Sequence, residues 1–564
     1  MSLTTETVAS ETVASAEQTE PVSTFPKLFA EIVGTRAEHA ALVVAEETLS
    51  YRDLDRRSAR MARALLAIGA GKGTRVGLLA PDSALWLTSF YAALRIGALV
   101  TPISTLTTPR ELSHIVRTSD AQIVIGARRF LGHDYGHKLA AALPGLSEGR
   151  AEALRLAAAP YLRSVWLDDV DGLPWARTID ELLGRADTPD APGAALLAAV
   201  EQEVVPGDDA FVVYTSGSTA IPKAVVHDQW AVARQPPVLA TYFDLNSNHR
   251  TMCLLPAFWM GGIMSALQVL STGGTLVYPP SPDIEAVLDT IERANVTNVV
   301  VWHMSAKLLA AAAARCVDLE GVRITGAPLS DEDGEIIPPH LQATLLGMSE
   351  SFGPHSGEPI NHRLPDSKAG ASGRAVNRIE RRVLDPETGA ELAAGEVGEL
   401  QLRGGALMTG LYKVDRREVF TSDGFYPTRD LVRIDADGYA YFVGRTGDMI
   451  KTNSANVSRL EVEAALNALP DVELSVVAGL PDPELGEIVA AAVVPANGAT
   501  PSEDGLKAAL RQTLSSFKVP RRIVFVSHDE VPRTETGKVR LFDLAEFIAS
   551  HLELDRATPR PSGN

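Results

Sequence analysis

Three observations predict an α/β protein with a large N-terminal domain of mostly parallel sheets and flanking helices, followed by a small α+β C-terminal domain. Short apolar runs alternate with amphipathic stretches at regular spacing through the early part of the chain. Such alternation implies parallel strands whose faces are covered by helices. After Arg445 the texture changes and the elements become shorter, over about a hundred residues, a sensible size for one small domain. Finally, 564 residues with 45% hydrophobic and 22% charged side chains are enough for more than one core.

Taken in order, residues 1–24 contain no Lys or Arg and no apolar centre, so they do not read as a secretory signal. They repeat Glu-Thr-Val-Ala-Ser at Glu6–Ser10 and Glu11–Ser15 and are expected to form a disordered tail. Tyr51–Gly69 reads as a helix with Leu54, Met61, Leu65 and Ile68 on one face and Gly69 as its stop. A strand is expected at Thr74–Leu79, a helix at Ala84–Leu94 and a strand at Gly97–Thr101. Pro109 opens a further helix, Gln122–Ile125 reads as a strand, and Arg185–Gly193 as a loop. The second domain is expected to carry helices near Arg459–Leu469 and Glu503–Leu514, and strands near Ser475–Gly479, Ile488–Val494 and Arg522–Val526. The expected division is therefore a tail at 1–24, an N-terminal domain at 25–446, a C-terminal domain at 447–552 and a polar, Pro-containing tail at 553–564.

The formal net charge of −19 disfavours nucleic acid as a partner, because phosphate backbones need a basic face. Two cysteines, Cys253 and Cys316, exclude a disulfide framework and fit a reducing cytoplasmic location. The uncharged stretch Thr251–Pro282 is long enough to raise a membrane question. Pro256, Gly261, Gly262, Gly273 and Gly274 interrupt it, so a buried core segment, with no transmembrane span, is the better reading.

The most informative segment is Tyr214-Thr-Ser-Gly-Ser-Thr-Ala-Ile-Pro-Lys223, which follows the apolar Phe211–Val213. Thr215, Ser216, Ser218 and Thr219 supply hydroxyls, Gly217 permits a turn of inward N–H groups, and Lys223 adds a full charge. That combination can wrap a polyanion. Its spacing does not fit the Walker loop of phosphate-loop hydrolases. In isolation a Ser/Thr-rich surface turn would read the same. Further along stand Gly347-Met-Ser-Glu350, Thr428-Arg-Asp430, Gly444-Arg-Thr-Gly-Asp-Met-Ile-Lys451 and Pro532-Arg-Thr-Glu-Thr-Gly-Lys538.

The order and separation of these five motifs resemble the adenylate-forming superfamily of acyl-CoA synthetases, adenylation domains and luciferases. The resemblance spans about Phe25 to Ser550. It implies an enzyme, an AMP-forming acid ligase that uses ATP and Mg²⁺ to convert a small-molecule carboxylic acid to its adenylate. CoA is the implied acceptor, with a carrier protein, an amine or nitrite activation for diazotisation as alternatives. A catalytically silent nucleotide-binding relative is a further alternative, against which the retained Glu350, Asp430, Arg445, Lys451 and Lys538 argue. Self-association as a homodimer is left open.

The resemblance also implies roles. Thr215, Ser216, Gly217, Ser218, Thr219 and Lys223 would cradle the leaving phosphates. Glu350 would hold Mg²⁺, Ser349 the α-phosphate, with Met348 beside it. Asp430 would take both ribose hydroxyls, Arg445 would contact the ribose, and Gly326-Ala327-Pro328 would lie along adenine. Lys538 would bridge carboxylate and α-phosphate, and Lys451 would serve the second half-reaction. Trp259, His303, Gly353 and His355 fall in segments that line the acid pocket. Where amino-acid activators carry an aspartate this chain has Trp259, which disfavours an α-amino acid and suits an aryl or acyl acid. Taken singly, each of these side chains also reads as an ordinary core or surface residue.

Several positions depart from the family pattern. Ala220 and Ala224 replace glycines, Leu346 stands where an aromatic often flanks adenine, and Arg429 replaces the glycine before Asp430. Gly447 sits at the hinge position. Ser454 and Arg459 replace a glycine and a proline common in CoA users, so thioester formation is less secure than adenylation.

Overall fold

The computed structural model describes residues 24–215, 223–301, 304–330, 335–360, 362–445, 449–452, 455–483, 485–514, 518–533, 539–540 and 543–557. These fall into two compact units, one of residues 24–215, 223–380 and 403–424, the other of residues 381–402 and 425–557.

Local sequence accounts for the elements of the first unit. Ser50 caps the helix Tyr51–Ala67: its hydroxyl accepts from the Asp53 N–H at 3.1 Å, and the Asp53 carboxylate accepts from the Ser50 N–H at 3.2 Å. Such a reciprocal cap satisfies two donors that would otherwise be orphaned. Leu54, Met61 and Leu65 are buried as their periodicity requires. Thr108 and Glu111 form the same device at the helix Pro109–Thr118. The helix Ala194–Glu203 was not anticipated. Its alanine-rich sequence has little amphipathic contrast, and only Leu197 is buried.

These elements build two large sheets. In the six-stranded sheet, Arg323–Ile324, Asn298–Val300, Arg250–Cys253, Thr275–Tyr278 and Ala40–Val44 run parallel, and Glu47–Ser50 closes one edge antiparallel. The eight-stranded sheet has the order Gly410–Leu411, Lys223–Asp228, Asp209–Thr215, Leu99–Pro102, Arg75–Leu79, Ile123–Gly126, Ser164–Leu167, Arg177–Thr178. Its first two pairings are antiparallel and the rest parallel. The sheets are thus mostly parallel, as expected. A three-stranded sheet adds Leu345–Met348, Gly353–Gly357 and Arg374–Ala375.

The uncharged stretch resolves into the strand Arg250–Cys253, the helix Met260–Ser271 and the strand Thr275–Tyr278. Both strands and most of the helix are buried, which is why the segment carries no charge. Among the described residues no helix is long and apolar enough to cross a membrane.

The second unit contains two sheets. In one, Tyr426–Ile434 lies antiparallel to both Val397–Arg403 and Ala440–Arg445, with Glu380–Leu384 at the edge. In the other, Gly486–Pro495 pairs antiparallel with Val472–Asp482 and Met449–Thr452 and parallel with Arg522–Phe525. Helices Arg459–Asn467 and Glu503–Leu510 appear near their expected places. By compactness the first sheet groups with residues 449–557, so the expected division at 446/447 falls inside this unit. The last helix runs from Leu544 to Ala557, five residues into the segment expected to be a tail, because Glu553, Leu554, Arg556 and Ala557 are good helix formers. Residues 1–23 and 558–564, where the tails are expected, lie outside the described residues.

Arg429 adopts φ +64° just before Asp430. The left-handed conformation expected of a glycine is therefore kept at a position that has a side chain. It costs an L-residue roughly 1–2 kcal/mol, of which a glycine's looser unfolded state returns part. Arg429→Gly is predicted to stabilise the protein by about 0.5–1 kcal/mol, read as a higher urea midpoint. An unchanged midpoint would contradict strain at this residue.

Candidate active site

The hydroxyl-rich loop springs from two paired strands, Asp209–Thr215 and Lys223–Asp228, whose register sets Thr215 opposite Lys223. The loop itself, with Ser216, Gly217, Ser218, Thr219 and Ala220, lies outside the described residues. Its closing residues are placed. Tyr214 is anchored by a 2.8 Å hydrogen bond between its hydroxyl and that of Thr118. Ala224, opposite Tyr214, packs with Leu99, Val212, Val226 and Tyr412. Its methyl therefore contributes to a small apolar cluster within regular strand.

Lys223 points its ammonium toward Glu350, with Nζ 4.0 Å from Oε1. Both side chains are largely enclosed. Thr215, Lys223, Ser349 and Glu350 thus converge in the first unit, although more than a hundred residues separate the two pairs in sequence. Glu350 sits in the turn Ser349–Ser351, between the strands Leu345–Met348 and Gly353–Gly357. Close backbone approach makes the hairpin narrow: a Cβ on Gly347 would lie 2.5 Å from the Gly353 carbonyl oxygen. The Ser351 hydroxyl lies 2.6 Å from the Gly353 carbonyl oxygen, and the Met408 N–H donates to the Glu350 carbonyl at 2.7 Å.

His227, which the sequence analysis did not single out, meets the same turn. Its Nε2 lies 2.7 Å from the Ser349 carbonyl oxygen. Complete burial pushes the imidazole down to about 4, partly offset by that hydrogen bond, so the ring is neutral at pH 7. The available sequence signal was strand alternation, which places His227 on the same buried face as Val225.

Among the expected acid-pocket residues, Trp259 is half-buried immediately before the helix Met260–Ser271, its ring edge-on to Phe258 at 5.4 Å. Gly353 has φ +107°, and a Cβ there would lie 2.4 Å from Met264 Sδ of that helix. His355 is buried on the same strand as Gly353, with Nδ1 3.0 Å from the Ser356 hydroxyl. His303 lies outside the described residues. Asp82, also missed by the sequence analysis, anchors the segment before Trp259 by accepting the Ala257 N–H at 2.8 Å. Burial raises its carboxyl to about 7, opposed by that N–H.

Gly326-Ala327-Pro328 follows the strand Arg323–Ile324 at the end of the six-stranded sheet. Gly326 has φ +79°, and its carbonyl accepts from the Ser305 hydroxyl at 3.1 Å. Leu346 is half-buried opposite Ser356.

In the second unit Asp430 is buried, 2% exposed, and its N–H donates to the Thr428 hydroxyl at 3.0 Å. Backbone register sets it opposite Arg445. Lys451 occupies the strand Met449–Thr452 opposite Asn456. Arg459 begins the helix Arg459–Asn467 and pairs with Glu463 at 2.6 Å. The first helical position is one where proline is also favoured. Gly447, Ser454 and Lys538 lie outside the described residues.

A family model described as AMP-binding enzyme matches residues 29–412, and one described as AMP-binding enzyme C-terminal domain matches residues 461–538. The chain belongs to the AMP-binding enzyme family. Feruloyl-CoA synthase of an Amycolatopsis species is 30% identical, covering 87% of this chain and 92% of its own. The fatty acid–acyl-carrier-protein ligase ScoC of Streptomyces coeruleorubidus is 29% identical, covering 88% and 91%. ATP-bound MatB from Rhodopseudomonas palustris shares the fold with a TM-score of 0.69 and 25% identity, over 92% of this chain and 98% of that one. As the ordered motifs predict, the protein is an AMP-forming acid ligase.

The Asp82 carboxyl stands at about 7 in the folded protein against 3.8 ordinarily. Between these values the folded state holds the proton more tightly, so stability from this group is full below about pH 4 and is lost as pH rises toward 7. Asn keeps the acceptor but cannot ionise. Asp82→Asn is predicted to gain thermal midpoint over the parent as pH rises from about 4 to about 7, at up to roughly 1.4 kcal/mol per pH unit, and to hold that gain above it. Scanning calorimetry across that range checks it, and parallel pH profiles would contradict it.

Proposed function

We propose that this enzyme activates an aryl carboxylic acid with ATP and passes the acyl group to CoA. A carboxylate oxygen attacks the α-phosphorus, the bond to the β-phosphate bridging oxygen breaks, and pyrophosphate leaves. The CoA sulfur then attacks the acyl carbon, and AMP leaves. The observation that carries the reading is the Lys223–Glu350 pairing at the foot of the hydroxyl-rich loop. The first step brings two anions together, so the site must cancel charge and hold the attacking geometry.

Lys223 and the hydroxyls of Thr215, Ser216, Ser218 and Thr219 hold the leaving phosphates in this reading. The Glu350 carboxylate is a hard oxygen donor that fits Mg²⁺, which takes one or two carboxylates and completes its shell with water and phosphate oxygen. When bound there, the ion neutralises triphosphate charge. Ser349 donates to the α-phosphate, Asp430 accepts the ribose hydroxyls, and Arg445 contacts the ribose. Lys538 supplies the cation between carboxylate and α-phosphate, and Lys451 serves the transfer step. Gly447, with no side chain to restrict backbone rotation, is the proposed pivot for the segment that follows it. Trp259 favours an aromatic acid, a choice supported by the feruloyl-CoA synthase likeness.

A second reading keeps adenylation and changes the acceptor to a carrier protein, as the ScoC likeness suggests. The Arg459–Glu463 pair gives Arg459 a structural role, so only Ser454 motivates this alternative.

Pyrophosphate release with a panel of aryl and fatty acids, with and without CoA, decides between the acceptors. CoA-dependent thioester with an aryl acid is the expected result, whereas adenylate that accumulates unchanged when CoA is added would exclude the CoA step. Lys538→Ala is predicted to lower pyrophosphate exchange about 10²–10³-fold at an unchanged thermal midpoint. Parental exchange in that variant would refute the role.

A further inference from the structure

The turn that carries Glu350 is backed by an aromatic cluster that meets the Ser349 carbonyl twice among the described residues, through the Phe352 N–H at 3.2 Å and through the His227 side chain. His227 lies four residues beyond Lys223 on the same strand and pairs in register with Phe211. Its ring centroid is 5.3 Å from that of Phe211 and 4.9 Å from that of Phe352, the latter edge-on at 75°. Phe352 in turn meets Phe211 at 5.6 Å. All three side chains are fully buried.

Two features show that this cluster constrains the turn rather than merely filling space. Nε2 of His227 lies 2.7 Å from the Ser349 carbonyl oxygen. A carbonyl only accepts, so Nε2 carries the proton and this tautomer is set by the contact. Nδ1 is buried with no partner among the described residues. In addition, Phe352 ends the turn in the left-handed region, φ +54°. A bulky residue holds that conformation only when its surroundings over-determine it, and such strain concentrates at functional sites. The rings of His227 and Phe211 provide the surroundings.

We infer that His227 is a positioning residue for adenylation: its Nε2–H fixes the Ser349 carbonyl and thereby aims the Ser349 hydroxyl and the Glu350 carboxylate at the nucleotide. His227 touches no substrate itself. The inference rests on the reading of Ser349 and Glu350 as α-phosphate and Mg²⁺ contacts. A phenylalanine at this position keeps the ring and removes the donor. A glutamine places an amide N–H near Nε2.

The experiment compares full-length parent, His227→Phe, His227→Gln and Glu350→Gln. MgATP affinity is measured by calorimetric titration, the Mg²⁺ concentration for half-maximal ATP binding by the same method, and thermal midpoints by scanning calorimetry. His227→Phe is expected to bind MgATP about tenfold more weakly, the loss of one hydrogen bond, and to need more Mg²⁺, while still unfolding cooperatively. His227→Gln is expected to recover most of both. A purely structural role would lower the midpoint and leave the Mg²⁺ requirement unchanged, and that result overturns the inference. Should His227→Phe not fold, a folded His227→Gln with strongly impaired Mg²⁺ dependence overturns it too. If Glu350→Gln binds MgATP like the parent, the reading of Glu350 fails and takes the inference with it. If Glu350→Gln is impaired while His227→Phe is normal, only the positioning role fails.

Discussion

A cation and a carboxylate, Lys223 and Glu350, are held 4.0 Å apart at the edge of a polar loop, and the rest of the site depends on keeping them there. At that separation their gross attraction is about 4 kcal/mol in a medium of effective dielectric about 20, before the cost of desolvation. A separation of 4.0 Å is an ion pair longer than a direct hydrogen bond. A triphosphate with a divalent cation supplies both signs at once. In the proposed reading such a ligand meets the ammonium through its phosphates and the carboxylate through its cation.

Holding that pair requires rigid backbone from two distant stretches of sequence. One is the antiparallel pair of strands Asp209–Thr215 and Lys223–Asp228 in the eight-stranded sheet, the second of which begins at Lys223. The other is the narrow hairpin through Ser349–Ser351. The hairpin closes because Gly347 allows backbone contact that any Cβ would block, and because Phe352 accepts a left-handed conformation under two packed rings. His227 joins the two stretches through one hydrogen bond. The Lys223–Glu350 ion pair, backbone strain and aromatic packing are therefore aspects of one local arrangement.

The departures from the family pattern find local explanations where they are described. Ala224 lies in regular strand and packs into an apolar cluster. Arg429 keeps a left-handed backbone at the cost of strain. Arg459 replaces a proline at the first helical position, where the restricted backbone of proline is not essential, and its side chain gains a buried ionic partner in Glu463. None of these substitutions removes a charged group expected to meet the nucleotide.

Periodicity and capping made the elements legible: the Ser50–Asp53 and Thr108–Glu111 caps and the Leu54, Met61, Leu65 face are local properties of the chain. The order of five motifs was enough to name the family, because each motif is a contiguous run that needs no knowledge of folding partners. What sequence did not reveal is whatever arises from contact between distant segments. His227 follows a valine pair and reads as an ordinary strand residue until a carbonyl 122 positions away meets its Nε2. Asp82 carries no motif, yet it is half-buried and accepts the Ala257 N–H from 175 residues away, while Ser83 caps the helix that follows it. The grouping of residues 381–402 with the C-terminal elements likewise follows from strand pairing across sequence. Sequence alone determined which charged groups are present and in what order. Tertiary structure decided which of them share a low-dielectric environment, because burial and hydrogen-bond partners exist only once the chain has closed on itself.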